Sequence, residues 1–351
     1  MPPSPKLTAP YPKAIRPAPL TLVVHGIARA WSCMDPVQRP QLPALQKLVR
    51  RGVVAPLGKT QTGWLPLHLH ILELLQLPAD RMHASAPLEW LGQGGAPQPG
   101  TWLQAAFVHF ELGSNSARLQ RIENLDPEEA AALLETLQAN LRFPGVEVLA
   151  SPDTLQSMKF FLHSEVSIEA DCFPADFGAD VNLRDVLPQG REGPRLRRLL
   201  TEAQMLLHDH PVNVVRASRG RLLVNAIWLT GIGEFAGLRS AALPRITGND
   251  TYLKGLCRLY ASELHSIPST AASALSGDAP GLIELSLRAP TEPASNLLAL
   301  ERVWFAPLIA AIEAQQLTAA RLLLDQHLVW IDRSGLRRFW RNGPALARLL
   351  A

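Results

Sequence analysis

Between Gly193 and Glu234 the order of apolar and polar positions changes twice, and each change predicts an element. After Pro194, whose fixed φ suits a first helical position, Leu196, Leu199, Leu200, Ala203, Leu206 and Leu207 recur at three- and four-residue spacing and predict a helix with one buried face. His210 stands before Pro211, which disfavours the α conformation and ends that helix; a second one starts at Pro211 and stops at Gly220. Leu222 to Leu229 is an apolar run broken only by Asn225, the pattern of a strand covered on both faces of a parallel sheet. Gly231 and Gly233 then predict a turn at its carboxyl end, where open α/β sheets bind ligands.

The same reading runs along the rest of the chain. Leu20 to Val24 predicts a core strand ending at His25-Gly26, Leu42 to Val49 a helix stopped by Gly52, Val53 to Leu57 a short strand, and Leu65 to Leu77 a buried helix. The texture changes at Pro78. Trp102 to Phe110 and Ala117 to Ile122 predict strands joined by the turn Gly113-Ser114-Asn115. Asp126-Pro127-Glu128-Glu129 opens a helix, with Glu129 able to reach back to the cap, and Val146 to Leu149 and Met158 to Leu162 predict two more strands. Paired strands around one helix suggest a small α+β domain. Further on, Asp250 caps a helix carrying Leu253, Leu256, Cys257 and Tyr260. Leu282 to Arg288 alternates like a half-buried strand, Leu297 to Ala314 is helical, and Asp325-Gln326-His327 joins a hairpin. The fold class expected is α/β: a core with a mostly parallel sheet formed by residues 20–78 and 191–351, interrupted by an α+β domain at 79–190 and preceded by a proline-rich arm at 1–19.

Composition narrows the function. The 351 residues are 47% hydrophobic, enough for a sizeable core, and the net charge of +3 is far from that of a dedicated nucleic-acid binder. Three isolated cysteines fit a reducing compartment, and neither a signal peptide nor an uninterrupted membrane span is apparent, so a cytoplasmic protein is expected. Arg333, Arg337, Arg338, Arg341 and Arg348 surround Phe339 and Trp340, a combination that could contact phosphates and bases. A solvated terminal helix explains them as well, and neither nucleic acid nor membrane is expected as a partner. His68-x-His70 and His208-x-His210 lie on predicted helices, where such positions point apart. Gly231-x-Gly233-x-x-Ala236 fits a dinucleotide fingerprint only loosely and has no acidic residue placed for a ribose, so no cofactor is expected.

The run Glu202, Gln204-Met205, His210-Pro211-Val212-Asn213, Arg216, Gly220, Asn225 and Gly231-x-Gly233 resembles a bacterial family of RpfE-type regulatory and phosphoglycerate mutase-like proteins. More distantly it is similar to the archaeal type of cofactor-independent phosphoglycerate mutase, in the alkaline phosphatase superfamily. That resemblance implies an alkaline phosphatase-like core, two divalent ions held by Asp and His, and a Ser or Thr nucleophile between them. The sequence departs from the pattern. His25-Gly26 stands where the family has a ligating Asp-Gly; no Ser or Thr lies between Thr62 and Ser85, where the nucleophile belongs; and Asp325-Gln326-His327 only approaches the late Asp-His pair.

The function expected is therefore that of a catalytically degenerate phosphoglycerate mutase-like protein with a binding or regulatory role, without catalytic residues or metal ligands. Its candidate ligand-binding residues are His210, Asn213, Arg216, Arg219, Asn225, Gly231 and Gly233, and its partner a phosphorylated metabolite or a protein. The competing expectations are a metal-dependent mutase or phosphatase with relocated ligands such as His25, Asp35 and His68, and a nucleic-acid-binding regulator using the Arg-rich tail.

Overall fold

The computed structural model describes residues 20–57, 65–112, 117–122, 125–150, 159–173, 180–181, 186–275, 281–287, 292–341 and 343–350. The arm, Thr62, the Gly113-Ser114-Asn115 turn, Met158 and Arg288 lie outside them. The strands are β1 (Leu20–His25), β2 (Val53–Pro56), β3 (Gly100–Leu112), β4 (Ala117–Arg121), β5 (Glu147–Leu149), β6 (Lys159–Ser164), β7 (Asp180–Val181), β8 (Ala226–Phe235), β9 (Ile246–Thr247), β10 (Leu264–His265), β11 (Leu282–Ser286), β12 (Ala319–Leu324) and β13 (His327–Asp332). The helices are α1 (Ile27–Ser32), α2 (Pro43–Arg51), α3 (Pro66–Leu74), α4 (Ser85–Gly92), α5 (Pro127–Asn140), α6 (Gly193–His208), α7 (Pro211–Ser218), α8 (Thr251–Leu259), α9 (Ala271–Leu275), α10 (Pro293–Leu300), α11 (Ala306–Glu313), α12 (Arg333–Arg337) and α13 (Leu346–Leu350).

The chain forms two compact units, the first from residues 1–59, 241–253 and 262–351, the second from residues 60–240 and 254–261. The first is a mixed α/β unit around a largely parallel sheet in the order β10-β9-β11-β1-β12-β13-β2. The five strands from β10 to β12 run parallel, and β13 and β2 add an antiparallel edge. Central β1 is buried along its length up to the half-buried His25, which explains its unbroken apolar sequence. The helical run Pro293–Glu313 is apolar over 21 residues, and Leu297, Trp304, Phe305, Leu308 and Ile312 sink into this unit's core. A π-turn at Glu301–Phe305 divides the run and turns the Glu301 carboxylate onto the backbone N–H groups of Ala44 and Leu45. No side chain at its own N-cap serves α2, so Glu301 supplies the missing acceptor and a favourable charge at the dipole.

The second unit is built on antiparallel pairing. Its sheet runs β5-β6-β3-β4-β7, and β8 lies against β3. Helices α5 and α6 bury Leu133, Leu137, Leu199 and Ala203 in a core shared with Phe160, Ile227 and Leu229. The capping box at Asp126 and Glu129 forms as the sequence predicts.

Two expectations are corrected here. The strand after Gly220 is antiparallel and belongs to the second unit, whereas the sequence placed it in a parallel sheet. Its Ile227 and Leu229 face one apolar cluster and Ala226 and Trp228 another. A strand covered on both faces has the same apolar pattern whichever way its neighbours run. The second unit consequently extends over residues 60–240, where the sequence suggested 79–190. The other correction concerns β11, expected to be half-buried: Leu282, Ile283, Glu284 and Leu285 are all buried, and Glu284 is 0% exposed.

Candidate functional site at the carboxyl ends of the parallel strands

Most of the seven residues singled out in the sequence are consumed by the packing of the second unit. His210 caps α7: its Nδ1 accepts from the Val212 N–H at 3.2 Å, and Nε2 lies 2.9 Å from Thr136 Oγ1. The Asn213 amide donates to the carbonyls of Leu207 and Val224 at 2.7 and 2.9 Å, while its oxygen accepts from the Val224 N–H at 2.8 Å. Arg216, 1% exposed, donates to the Leu222 carbonyl and to Glu129 Oε2 at 2.5 Å, tying α7 to the first turn of α5. Asn225 exchanges hydrogen bonds with Phe110 N–H and C=O at 2.8 and 3.0 Å, imitating one more ladder pair beyond the start of β8. Arg219 is exposed at the end of α7.

The glycines do not form a ligand turn. Both lie inside β8, and a Cβ on Gly231 (φ +63°) would stand 2.8 Å from Ser85 Cβ. One on Gly233 would collide with the Arg81 carbonyl oxygen. Their small size lets α4 and the turn before it approach the strand. The same contact covers Ser85, which is 6% exposed and lies 2.9 Å from His68 Nδ1.

A different cluster stands in the first unit. In the sheet β9, β11 and β1 are neighbours, all parallel. His25 closes β1, Glu284 projects from β11, and Asp250 follows β9 after a tight Gly248-Asn249 segment. One ligand-capable atom from each of these three side chains lies within 4.8 Å of the other two. The backbone N–H groups of Asn249 and Asp250 donate to Glu284 Oε2 at 3.0 and 3.1 Å. Glu284 Oε1 is buried and makes no hydrogen bond among the described residues. Burial raises the Glu284 pKa above the usual carboxylate range, only partly opposed by the Asn249 N–H. Gly248 leaves the carboxylate its seat, since a Cβ there would stand 2.8 Å from Glu284 Oε2.

Residues 81–213 match the sequence model of the family described as 2,3-bisphosphoglycerate-independent phosphoglycerate mutase. Over that segment the chain is similar to phosphoglycerate mutases. Relatives bearing that enzyme name include one from Methanosarcina barkeri, 28% identical over 56% of this chain and 50% of the relative, and one from Methanosarcina acetivorans, 25% identical over 56% and 49%. The chain thus spans about half the length of the curated relatives it matches. Among solved structures, the cofactor-independent phosphoglycerate mutase of Thermoplasma acidophilum aligns over 94% of both chains at 17% identity and a TM-score of 0.42. A Pyrococcus horikoshii protein aligns over 95% of this chain and 92% of its own, at 12% identity and a TM-score of 0.46.

The matched segment lies wholly inside the second unit, and the His25 cluster belongs to the first. The donors present do not fit the two ions that the resemblance implies. His25, Asp250 and Glu284 are the one group of three potential ligands among the described residues, and two ions need more carboxylates than this. Asp325, the nearest approach to a late ligand pair, is committed elsewhere. Its Oδ1 accepts from the Gly26 N–H and its Oδ2 from the Ala28 N–H, both at 2.7 Å. Burial raises its pKa against those bonds. Asp35 is exposed and caps its own turn by accepting from the Val37 N–H at 2.9 Å. The sequence named His25 but missed its companions. Glu284 looked like the polar side of an amphipathic strand, and Asp250 looked like a helix cap, which it also is: Oδ1 accepts from the Leu253 N–H at 3.0 Å. A lone acid between Ile283 and Leu285 was the available signal.

Proposed function

We propose that this phosphoglycerate mutase-like protein binds a phosphorylated ligand without carrying out two-metal phosphoryl transfer. The observation that carries the proposal is the donor inventory: one group of three ligand side chains among the described residues, with His25 where the resembling family has an aspartate. In-line transfer on two ions needs both the attacking and the leaving oxygen held by metal. The carboxyl ends of the parallel strands remain the natural place for a ligand, because the strand order brings three polar side chains together there. His210, Asn213, Arg216 and Asn225, first assigned to the ligand, are engaged in the fold of the second unit.

The test pairs calorimetric titration of 2- and 3-phosphoglycerate with a coupled mutase assay and a phosphatase assay, each in Mn²⁺ and Mg²⁺. Saturable binding with no turnover is expected. Metal-dependent turnover would sink this reading and favour the second one, an active enzyme with atypical ligands, for which the convergence of His25 with Asp250 and Glu284 is the supporting observation. Neither binding nor turnover would leave a protein partner as the ligand.

A further inference from the structure

We infer that the turn at 338–341, between α12 and α13, docks the protein on an anionic membrane surface. The composition did not suggest a membrane; the placement of these side chains does. A solvated terminal helix was one explanation for the arginines around Phe339 and Trp340, but the structure breaks that helix. Helix α12 ends at Arg337, residues 338–341 form a turn, and α13 begins at Leu346. Phe339 is 78% exposed and Trp340 69%, and they are the two exposed aromatic side chains among the described residues. Leu336 and Leu346 on either side sink into the core of the first unit, yet both rings stay outside it.

The turn is fixed by its backbone. The Arg338 N–H donates to the Gly335 carbonyl, that of Arg341 to the Arg338 carbonyl and that of Gly343 to the Arg50 carbonyl, each at 3.0 Å. Gly343 permits this approach to α2, since a Cβ there would stand 2.8 Å from the Val49 and Arg50 carbonyl oxygens. Arg51 adds a bond from its guanidinium to the Leu336 carbonyl. The two rings meet edge to face, with 5.0 Å between centroids and 84° between planes. An apolar pair preset in this way loses little conformational freedom on binding.

Charge decides which partner fits. From Arg333 to Ala351 the sequence has five arginines and no acidic residue, while the whole chain carries only +3. The remainder is therefore slightly negative, and the excess positive charge belongs to the segment that carries the rings. No ion pair or side-chain hydrogen bond among the described residues engages Arg333, Arg337, Arg338 or Arg341. The carboxylates beside them are occupied. Asp332 accepts from the Ser334 hydroxyl and the Gly335 N–H, and Glu313, which lines a hollow with Arg333 and Arg337, pairs with Lys47 at 2.8 Å. At a bilayer edge the guanidiniums meet anionic headgroups while the rings enter the interfacial layer. A single-stranded nucleic acid would need two near-parallel ring faces for successive bases, and perpendicular rings do not offer them.

The experiment sediments the full chain with vesicles of phosphatidylcholine, alone or mixed with phosphatidylserine. Salt is set at about 0.05 M and about 0.5 M, between which the Debye length falls to about a third. Binding to the phosphatidylserine vesicles at low salt is expected, and a loss of about tenfold or more at high salt or on phosphatidylcholine alone. Arg337→Gln/Arg338→Gln should lose about twenty-five-fold, at about fivefold for each arginine near such a surface. Phe339→Ser/Trp340→Ser should lose about tenfold or more. Arg198→Gln, exposed on α6 in the other unit, should bind like the wild type. A wild type that stays in the supernatant overturns the inference, and so does a Phe339→Ser/Trp340→Ser variant that binds vesicles unchanged. Binding of a labelled single-stranded oligonucleotide that is lost in that variant while vesicle binding persists also overturns it, and makes the turn a nucleic-acid surface. Should the variants fail to fold, brominated phosphatidylcholine in the mixed vesicles gives the reading on the wild type. A partial loss of fluorescence, since Trp340 is one of eight tryptophans, supports the inference; equal fluorescence on brominated and plain vesicles refutes it. Vesicle binding does not depend on phosphoglycerate binding, so the function proposed above stands or falls separately.

Discussion

In the second unit, which holds the segment that matches phosphoglycerate mutases, the four polar side chains of the motif are spent on the fold; in the first unit one carboxylate oxygen, Glu284 Oε1, is buried without a hydrogen bond among the described residues. His210, Asn213, Arg216 and Asn225 each meet a backbone or side-chain partner. Glu284 in the first unit keeps an oxygen in reserve. The contrast teaches that a recognisable polar motif can be a folding determinant, while the candidate site sits on strands whose sequence is mostly apolar.

The sharpest way to break the comparison is at Arg216. Replacing it with Met leaves Glu129 facing a buried gap and loosens the joint between α5 and α7. Removing one partner of a buried pair costs about 3–5 kcal/mol. Urea denaturation should show a loss of that size. The double variant Arg216→Met/Glu129→Leu should recover much of it. A loss below about 1 kcal/mol would mean that Arg216 is free for other work, as the sequence first suggested.

Gly231→Ala comes next. The added methyl meets Ser85 Cβ at 2.8 Å on a backbone with φ of +63°, and overpacking of this kind costs about 1–3 kcal/mol. A stable variant with altered ligand affinity would return the glycine to the binding role first assigned to it. Asn225→Ala is a milder test: it removes two bonds to Phe110 at the head of β8, for about 1–2 kcal/mol.

How much of this was legible in the sequence depends on what each residue had to specify. Helix starts were, because Pro127 with Asp126 and Pro211 with His210 write their caps locally. Strand existence was legible too, since burial fixes the apolar pattern of β1, β3, β6 and β12. Strand direction was not: β8 is apolar on both sides because clusters cover both faces, and nothing local records that its neighbour β3 runs the opposite way. The candidate site was half legible. His25 stood out at the end of β1, whereas Glu284 and Asp250 meet it only through the order β9-β11-β1, which joins segments far apart in the chain.

The smallest expected effect is on pH, and it separates folding histidines from ligand histidines. Desolvation lowers the pKa of His83 in spite of Asp80, 2.7 Å from its Nδ1. Desolvation also lowers that of His210, opposed by a bond to the Ala132 backbone. At His210 the geometry adds a further cost of protonation: Nδ1 already accepts from the Val212 N–H, so a second proton there breaks the cap of α7. Above about pH 6.5 these imidazoles are neutral in both folded and unfolded chains and add no slope. Below it the unfolded chain binds more protons, so stability falls with pH until the depressed folded pKa values are passed. Urea midpoints measured from about pH 7.5 to about pH 5 should therefore decline. His210→Asn, which keeps a cap but cannot take the proton, should flatten the decline. A His210→Asn variant whose midpoints decline as steeply as those of the wild type would instead take the slope away from His210.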